Sequence, residues 1–173
     1  MFKFIINLVL LAVLLSCNIN SKRIEQKEVE DFMFSFFSSR EKLILVDSSQ
    51  EQLIVQQLEK YYDTPDSANH LINNLLAYKR NNEKAIGKVI FKESRIVSME
   101  IDSKAFIIQG NEAKFNISMH YKQMLIDVGT NNQPIYVSPE GYRTYAVRVV
   151  LDKNNQYLIL SAQLVPSKIA NDY

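Results

Sequence analysis

Ala113-Lys114-Phe115-Asn116-Ile117-Ser118-Met119-His120-Tyr121-Lys122 alternates apolar and polar side chains without a break. Successive side chains of a β-strand face opposite sides. The period of two therefore predicts a strand with Ala113, Phe115, Ile117, Met119 and Tyr121 toward a core. Lys114, Asn116, Ser118, His120 and Lys122 then face away from it. A strand with one apolar face needs neighbouring strands and a second layer over that face.

The neighbours are visible on both sides. Upstream, Val97, Met99 and Ile101 alternate with Ser98 and Glu100, and the QGNE stretch at 109–112 has hairpin chemistry. Downstream, Tyr145, Val147, Val149 and Leu151 form one side of a further strand, and Leu158, Leu160, Ala162 and Leu164 one side of the last. DKNNQ at 152–156 separates these two, so the pair is predicted to be antiparallel. GTNNQPIYVSPEG, residues 129–141, is predicted to be a mobile loop or a bent strand pair.

The second layer comes from the N-terminal side, where the apolar period lengthens. Val29, Phe32, Met33, Phe36 and Phe37 share one helical face, predicted to bury against the sheet. Ser48 followed by Glu51 has capping-box spacing, opening a helix through Leu53, Ile54, Leu58 and Tyr61. DTPDS at 63–67 ends it, with Pro65 suited to the first turn of a third helix. That helix carries Ala68, Leu71, Ile72, Leu75 and Leu76 on its face. The predicted class is α+β, with about three N-terminal helices covering one curved antiparallel sheet of about four strands.

Composition limits function. With 173 residues, 47% of them hydrophobic, the chain suits one domain with an ordinary core. Lys and Arg total 20 against 19 Asp and Glu, which predicts no nucleic-acid partner. A lone cysteine, Cys17, makes no intrachain disulfide, and with two histidines it makes a structural zinc site implausible. No cofactor or metal is expected.

Cys17 instead ends the opening segment. Lys3, the apolar run Phe4 to Leu15 and the small Ser16 have the layout of a secretory signal peptide. The run falls short of the roughly 20 residues that span a bilayer as a helix. LLSC, residues 14–17, resembles a bacterial lipobox, with Leu15 standing where a smaller residue is commoner. The resemblance implies diacylglycerol on the Cys17 thiol, cleavage before it and acylation of the new N-terminus. Two or three acyl chains hold a protein at a membrane. The predicted organisation is a signal peptide at 1–16, a lipidated cysteine and tether at 17–23, and one domain at 24–173. An incidental cysteine behind a plain signal anchor is the alternative.

The element order resembles the cystatin-like cone of nuclear transport factor two. Within it, the chain is most similar to the periplasmic domain of the VirB-eight-type subunit of type IV secretion and conjugation channels. The residues that carry the likeness are FFSSRE at 36–41, LEKYYDTPDSANHLINNLL at 58–76, AKFNISMHYK at 113–122 and the closing hairpin YRTYAVRVVLDKNNQYLILSAQLVPS at 142–167. Members of that family hold a membrane-spanning helix where this chain has a lipobox, so kinship would make it a lipoprotein variant.

Enzymes on the cone scaffold, as the resemblance implies, place an Asp-His pair or similar groups inside the pocket. Here His120 is predicted to face away from the core, and His70 lies beside the apolar stripe of its helix. Asp63 and Asp66 belong to turn and cap chemistry. A non-catalytic protein is predicted. Tyrosines combine an apolar body with a polar tip, and Tyr136, Tyr142 and Tyr145 are the candidate partner-binding residues, within a contact segment from Gln133 to Tyr145.

Three roles compete. The first is a membrane-anchored scaffold lipoprotein of a secretion or conjugation apparatus, outside the cytoplasm, binding other envelope or secretion-system proteins and itself a candidate homo-oligomer. The second is a surface lipoprotein that binds host or envelope components. The third is a ligand carrier or enzyme that uses the cone pocket.

Overall fold

Three α-helices and then six strands, with one short 3-10 helix at Ser103–Ala105 after the first strand, make up the computed structural model, which describes residues 22–85, 89–127, 133–137 and 141–166. The helices are α1 (Gln26–Leu45), α2 (Ser48–Glu59) and α3 (Pro65–Ala85). The strands are β1 (Val89–Ile101), β2 (Ile107–Gln109), β3 (Glu112–Asp127), β4 (Gln133–Val137), β5 (Gly141–Leu151) and β6 (Tyr157–Val165). Cys17 and the rest of the opening segment lie outside the described residues.

The sheet is antiparallel with the order β1-β3-β5-β6, and the short β2 and β4 both pair with β3. The expected α+β class is thus the observed one. The alternating stretch that predicted a strand forms the centre of β3, where Ala113, Phe115, Ile117 and Met119 are buried and Lys114, Asn116 and Ser118 exposed. Since β3 pairs with β1 and β4 over one stretch and with β1 and β5 over another, β4 and β5 follow each other along the same edge of β3. Within the 129–141 stretch, residues 133–137 form one strand that pairs with β3, and residues 129–132 and 138–140 lie outside the described residues. At the hairpin punctuation Gly110 adopts φ +64° and Asn155 φ 60°, a left-handed backbone that these two residue types tolerate. Asp152 closes the second turn by accepting from the backbone N–H groups of Asn154 and Gln156, each at 2.8 Å.

Helices α1 and α3 pack against this sheet's inner face, and α2 packs mainly on α1 and α3. Val29, Met33, Phe36 and Phe37 of α1 are fully buried, with Phe32 at the margin of the same core. Ala68 and Ile72 fix α3 to it, and Ile117, Val147, Val149 and Ile159 meet them from the sheet.

Three local expectations are corrected. Helix α2 is capped by Asp47, whose side chain accepts from the Ser49 N–H at 2.9 Å, and not by Ser48. Glu51 is then free of cap duty and takes the Lys79 ammonium of α3 at 2.9 Å, while Leu53 is 59% exposed. In β1, register shifts between Phe91 and Glu93 and between Ile96 and Ser98 break the period of two. Val97, predicted inward with Met99 and Ile101, is consequently 40% exposed, and Ser94 is buried.

Candidate functional site

The α1 stripe that begins with Val29 continues in helical phase through Met33, Phe36 and Phe37 to positions 40, 41 and 44. Two of these three are charged: Arg40 is 5% exposed and Glu41 2%. They form an ion pair at 2.7 Å, and the remaining bonding capacity is taken up by the sheet. Arg40 Nη1 donates to the Tyr145 hydroxyl at 2.8 Å, and Ser94 Oγ donates to Glu41 Oε2. Gln123 Nε2 donates to Glu41 at 3.3 Å and to Ser94 at 3.0 Å, and its own carbonyl accepts from Tyr78 of α3 at 3.2 Å. Helices α1 and α3 are thereby joined to β1, β3 and β5 through one polar network, buried except at Tyr78.

Burial alone would drive both charges toward neutrality, but mutual attraction outweighs it. Desolvation opposes the charged Arg40, while Glu41 and Tyr145 hold its pKa above the ordinary value. Desolvation likewise opposes the Glu41 carboxylate, and Arg40 with the Ser94 hydroxyl holds its pKa below the ordinary value. Burial raises the Tyr78 phenol.

A cavity of about 350 Å³ opens beside this network between α1, α3 and the β5–β6 strands. Arg40, Tyr145, Tyr78 and Arg143 supply its polar wall, and Leu71, Leu75 and Leu164 its apolar wall. Arg143 lies with its guanidinium 3.9 Å from the centre of the Tyr121 ring. A second, shallower hollow of about 470 Å³ lies between Phe32, Tyr61 and Tyr157.

The predicted partner residues separate. Tyr142 is 75% exposed on the outer face, stacked on the His120 ring at 4.7 Å and 11°. His120 does face away from the core, as expected, but half-buried beneath Tyr142 and not as a freely solvated ring. Tyr136 lies in β4 opposite Leu125 of β3, and its side chain is outside the described residues. Tyr145 is corrected: it is 6% exposed, packed on Phe37 at 5.0 Å and bonded to Arg40, so it belongs to the interior. His70 and Asp63 are exposed and bond no member of the buried network: His70 pairs with Asn74, and the Asp63 N–H donates to the Ile159 carbonyl. The Arg40–Glu41 pair was missed as a site, although its place on an apolar stripe is a sequence signal for a buried ion pair. Among the described residues no group of three or more His, Cys, Asp or Glu side chains is arranged to hold a metal ion. Nor is any described helix long and apolar enough to cross a membrane.

No protein-family model matches the chain, and no curated protein does. Solved structures match it in fold. The intermembrane space region of the chloroplast protein ARC6 superposes with a TM-score of 0.54 at 13% identity, over 84% of this chain and 100% of that one. An Ntf2-like protein involved in plasmid conjugation gives 0.51 at 15% identity, over 82% of this chain. The match spans about half of that second protein, 49% of its length. CagV, a VirB8 homolog of T4SS from Helicobacter pylori strain 26695, aligns at 11% identity over 79% of this chain with a TM-score of 0.47. The likeness to the Ntf2-like protein gives the fold: the domain has the cone shape of nuclear transport factor two, the fold that the element order resembles.

Proposed function

We propose that the chain is an envelope lipoprotein that serves, without catalysis, as a scaffold subunit of a type IV secretion or conjugative transfer apparatus. Cys17 carries the lipid anchor, and the domain stands outside the cytoplasm. The observation that carries the binding role is the large exposed aromatic surface of Tyr142, held in place by stacking on His120 where β4 and β5 meet along β3. An ordered aromatic side chain offers contact area at little entropic cost, which is why tyrosine recurs at interface hot spots. The fold likeness to a protein involved in plasmid conjugation favours this machinery over other envelope partners.

The interior supports a structural use of its charges. Arg40 and Glu41 neutralise each other and are bonded on several sides, an arrangement that fixes helices to a sheet and leaves neither group poised for proton transfer. Deleting the gene and measuring plasmid transfer from the native host tests the role. Transfer is expected to fall and to be restored by the full chain, but not by Cys17→Ala. Transfer at the parental level in the deletion would overturn the proposal.

A further inference from the structure

The cavity beside Arg143 has a use that the scaffold role does not require. We propose that it binds a small monocarboxylate bearing an apolar chain, with the carboxylate between Arg143 and Tyr145 and the chain toward Leu164. This goes beyond the assembly role and does not depend on it.

Charge argues for an anion. Two guanidinium groups, Arg40 and Arg143, border the cavity, and the carboxylate among them, Glu41, is committed to Arg40, Ser94 and Gln123. Of the other charged or titratable groups on α3, Lys79 and Arg80 are taken by Glu51, while His70 reaches the cavity wall only through Asn74. Lys79 also bonds the Val46 carbonyl. Among the described residues no carboxylate forms an ion pair with Arg143. Among the described residues one positive charge is thus in excess, which a monoanion neutralises and a dianionic phosphate overshoots.

Donors and shape agree. The Tyr145 oxygen accepts from Arg40, so its own O–H remains to donate, and Arg143, which also bonds the Tyr78 phenol, has five N–H groups in a planar fork that suits a carboxylate. Leu71, Leu75 and Leu164 continue from these donors to the surface, where Leu164 is 57% exposed. A volume of about 350 Å³ is at the small end for ligand pockets, which fits a medium-length chain.

The test titrates the full chain, in a mild non-ionic detergent, with octanoate and with uncharged octanamide, followed by backbone amide NMR shifts in α3 and β5. Saturable octanoate binding is expected, roughly 10-fold tighter than octanamide. Arg143→Gln should weaken octanoate roughly 10-fold while leaving octanamide unchanged. Leu164→Glu, at a position 57% exposed, should weaken octanoate at the mouth by roughly 3-fold or more with the far-ultraviolet circular dichroism spectrum unchanged. Equal binding of octanoate and octanamide, or octanoate binding indifferent to both substitutions, would overturn the proposal. So would a tenfold preference for an apolar tripeptide with a free C-terminus, which would make the cavity a chain-end receptor.

Discussion

Arg40 of α1 donates to the Tyr145 hydroxyl of β5 at 2.8 Å, joining two residues 105 positions apart in sequence. The bond fixes the last turns of the first helix over the middle of the sheet, at the floor of the cavity. Tyr145→Phe keeps the ring against Phe37 but removes the acceptor, leaving a buried guanidinium N–H without its partner. The expected cost is about 1–3 kcal/mol, read as a melting temperature several degrees lower. An unchanged melting curve would show that the bond contributes nothing.

Glu41 makes the fold sensitive to acid. Its native pKa lies below the ordinary value of 4.5, so its stabilising share is complete above that value and is lost as pH falls through the lowered native one. Glu41→Gln leaves Arg40 buried without its counter-charge, at a cost of about 3–5 kcal/mol near neutrality. Urea midpoints from neutral pH down to about pH 3 should show the gap between parent and variant narrowing once pH drops below the ordinary carboxylate range. A gap independent of pH would mean that Glu41 does not titrate as described.

Phe36 and Leu53 offer a contrast within the helical layer. Phe36 is fully buried among Phe37, Tyr61 and Tyr62, whereas Leu53 is 59% exposed. Phe36→Ala should cost about 3–5 kcal/mol and Leu53→Ala no more than about 0.5 kcal/mol. Chemical denaturation of the two variants checks both values, and similar losses would contradict the packing of α1.

Lipidation of Cys17 is checked by mass spectrometry of the mature N-terminus. A chain beginning at Cys17 with added diacylglycerol and acyl mass is expected, and none in Cys17→Ala. An unmodified Cys17 in the parent protein would remove the anchor from the account.

Much of the fold was legible because its periodicities are clean. The Ala113–Lys122 alternation gave β3, and the α1 stripe placed Phe36 and Phe37 inside. What escaped depends on departures from period. Two register shifts in β1 turn Ser94 inward and Val97 outward, and a bulge leaves no mark in a pattern of alternating residue types. Arg40 and Glu41 were in phase with the apolar stripe, but their partners Ser94, Gln123 and Tyr145 are scattered along the chain. Tyr145 alternates with Val147 and Val149, so its own strand pattern already set it inside, against its assignment as a partner contact.

Tyr142 is where the proposed role is most exposed to test. A photo-crosslinking amino acid placed there, with another at exposed Leu53 as control, reports what touches each face in the native envelope. The Tyr142 probe should form adducts with other envelope proteins that the Leu53 probe does not, and Tyr142→Ala should weaken capture of the same proteins by about 5- to 30-fold with folding intact. Equal labelling at the two positions, or capture lost in Asp63→Ala and retained in Tyr142→Ala, would contradict the scaffold account.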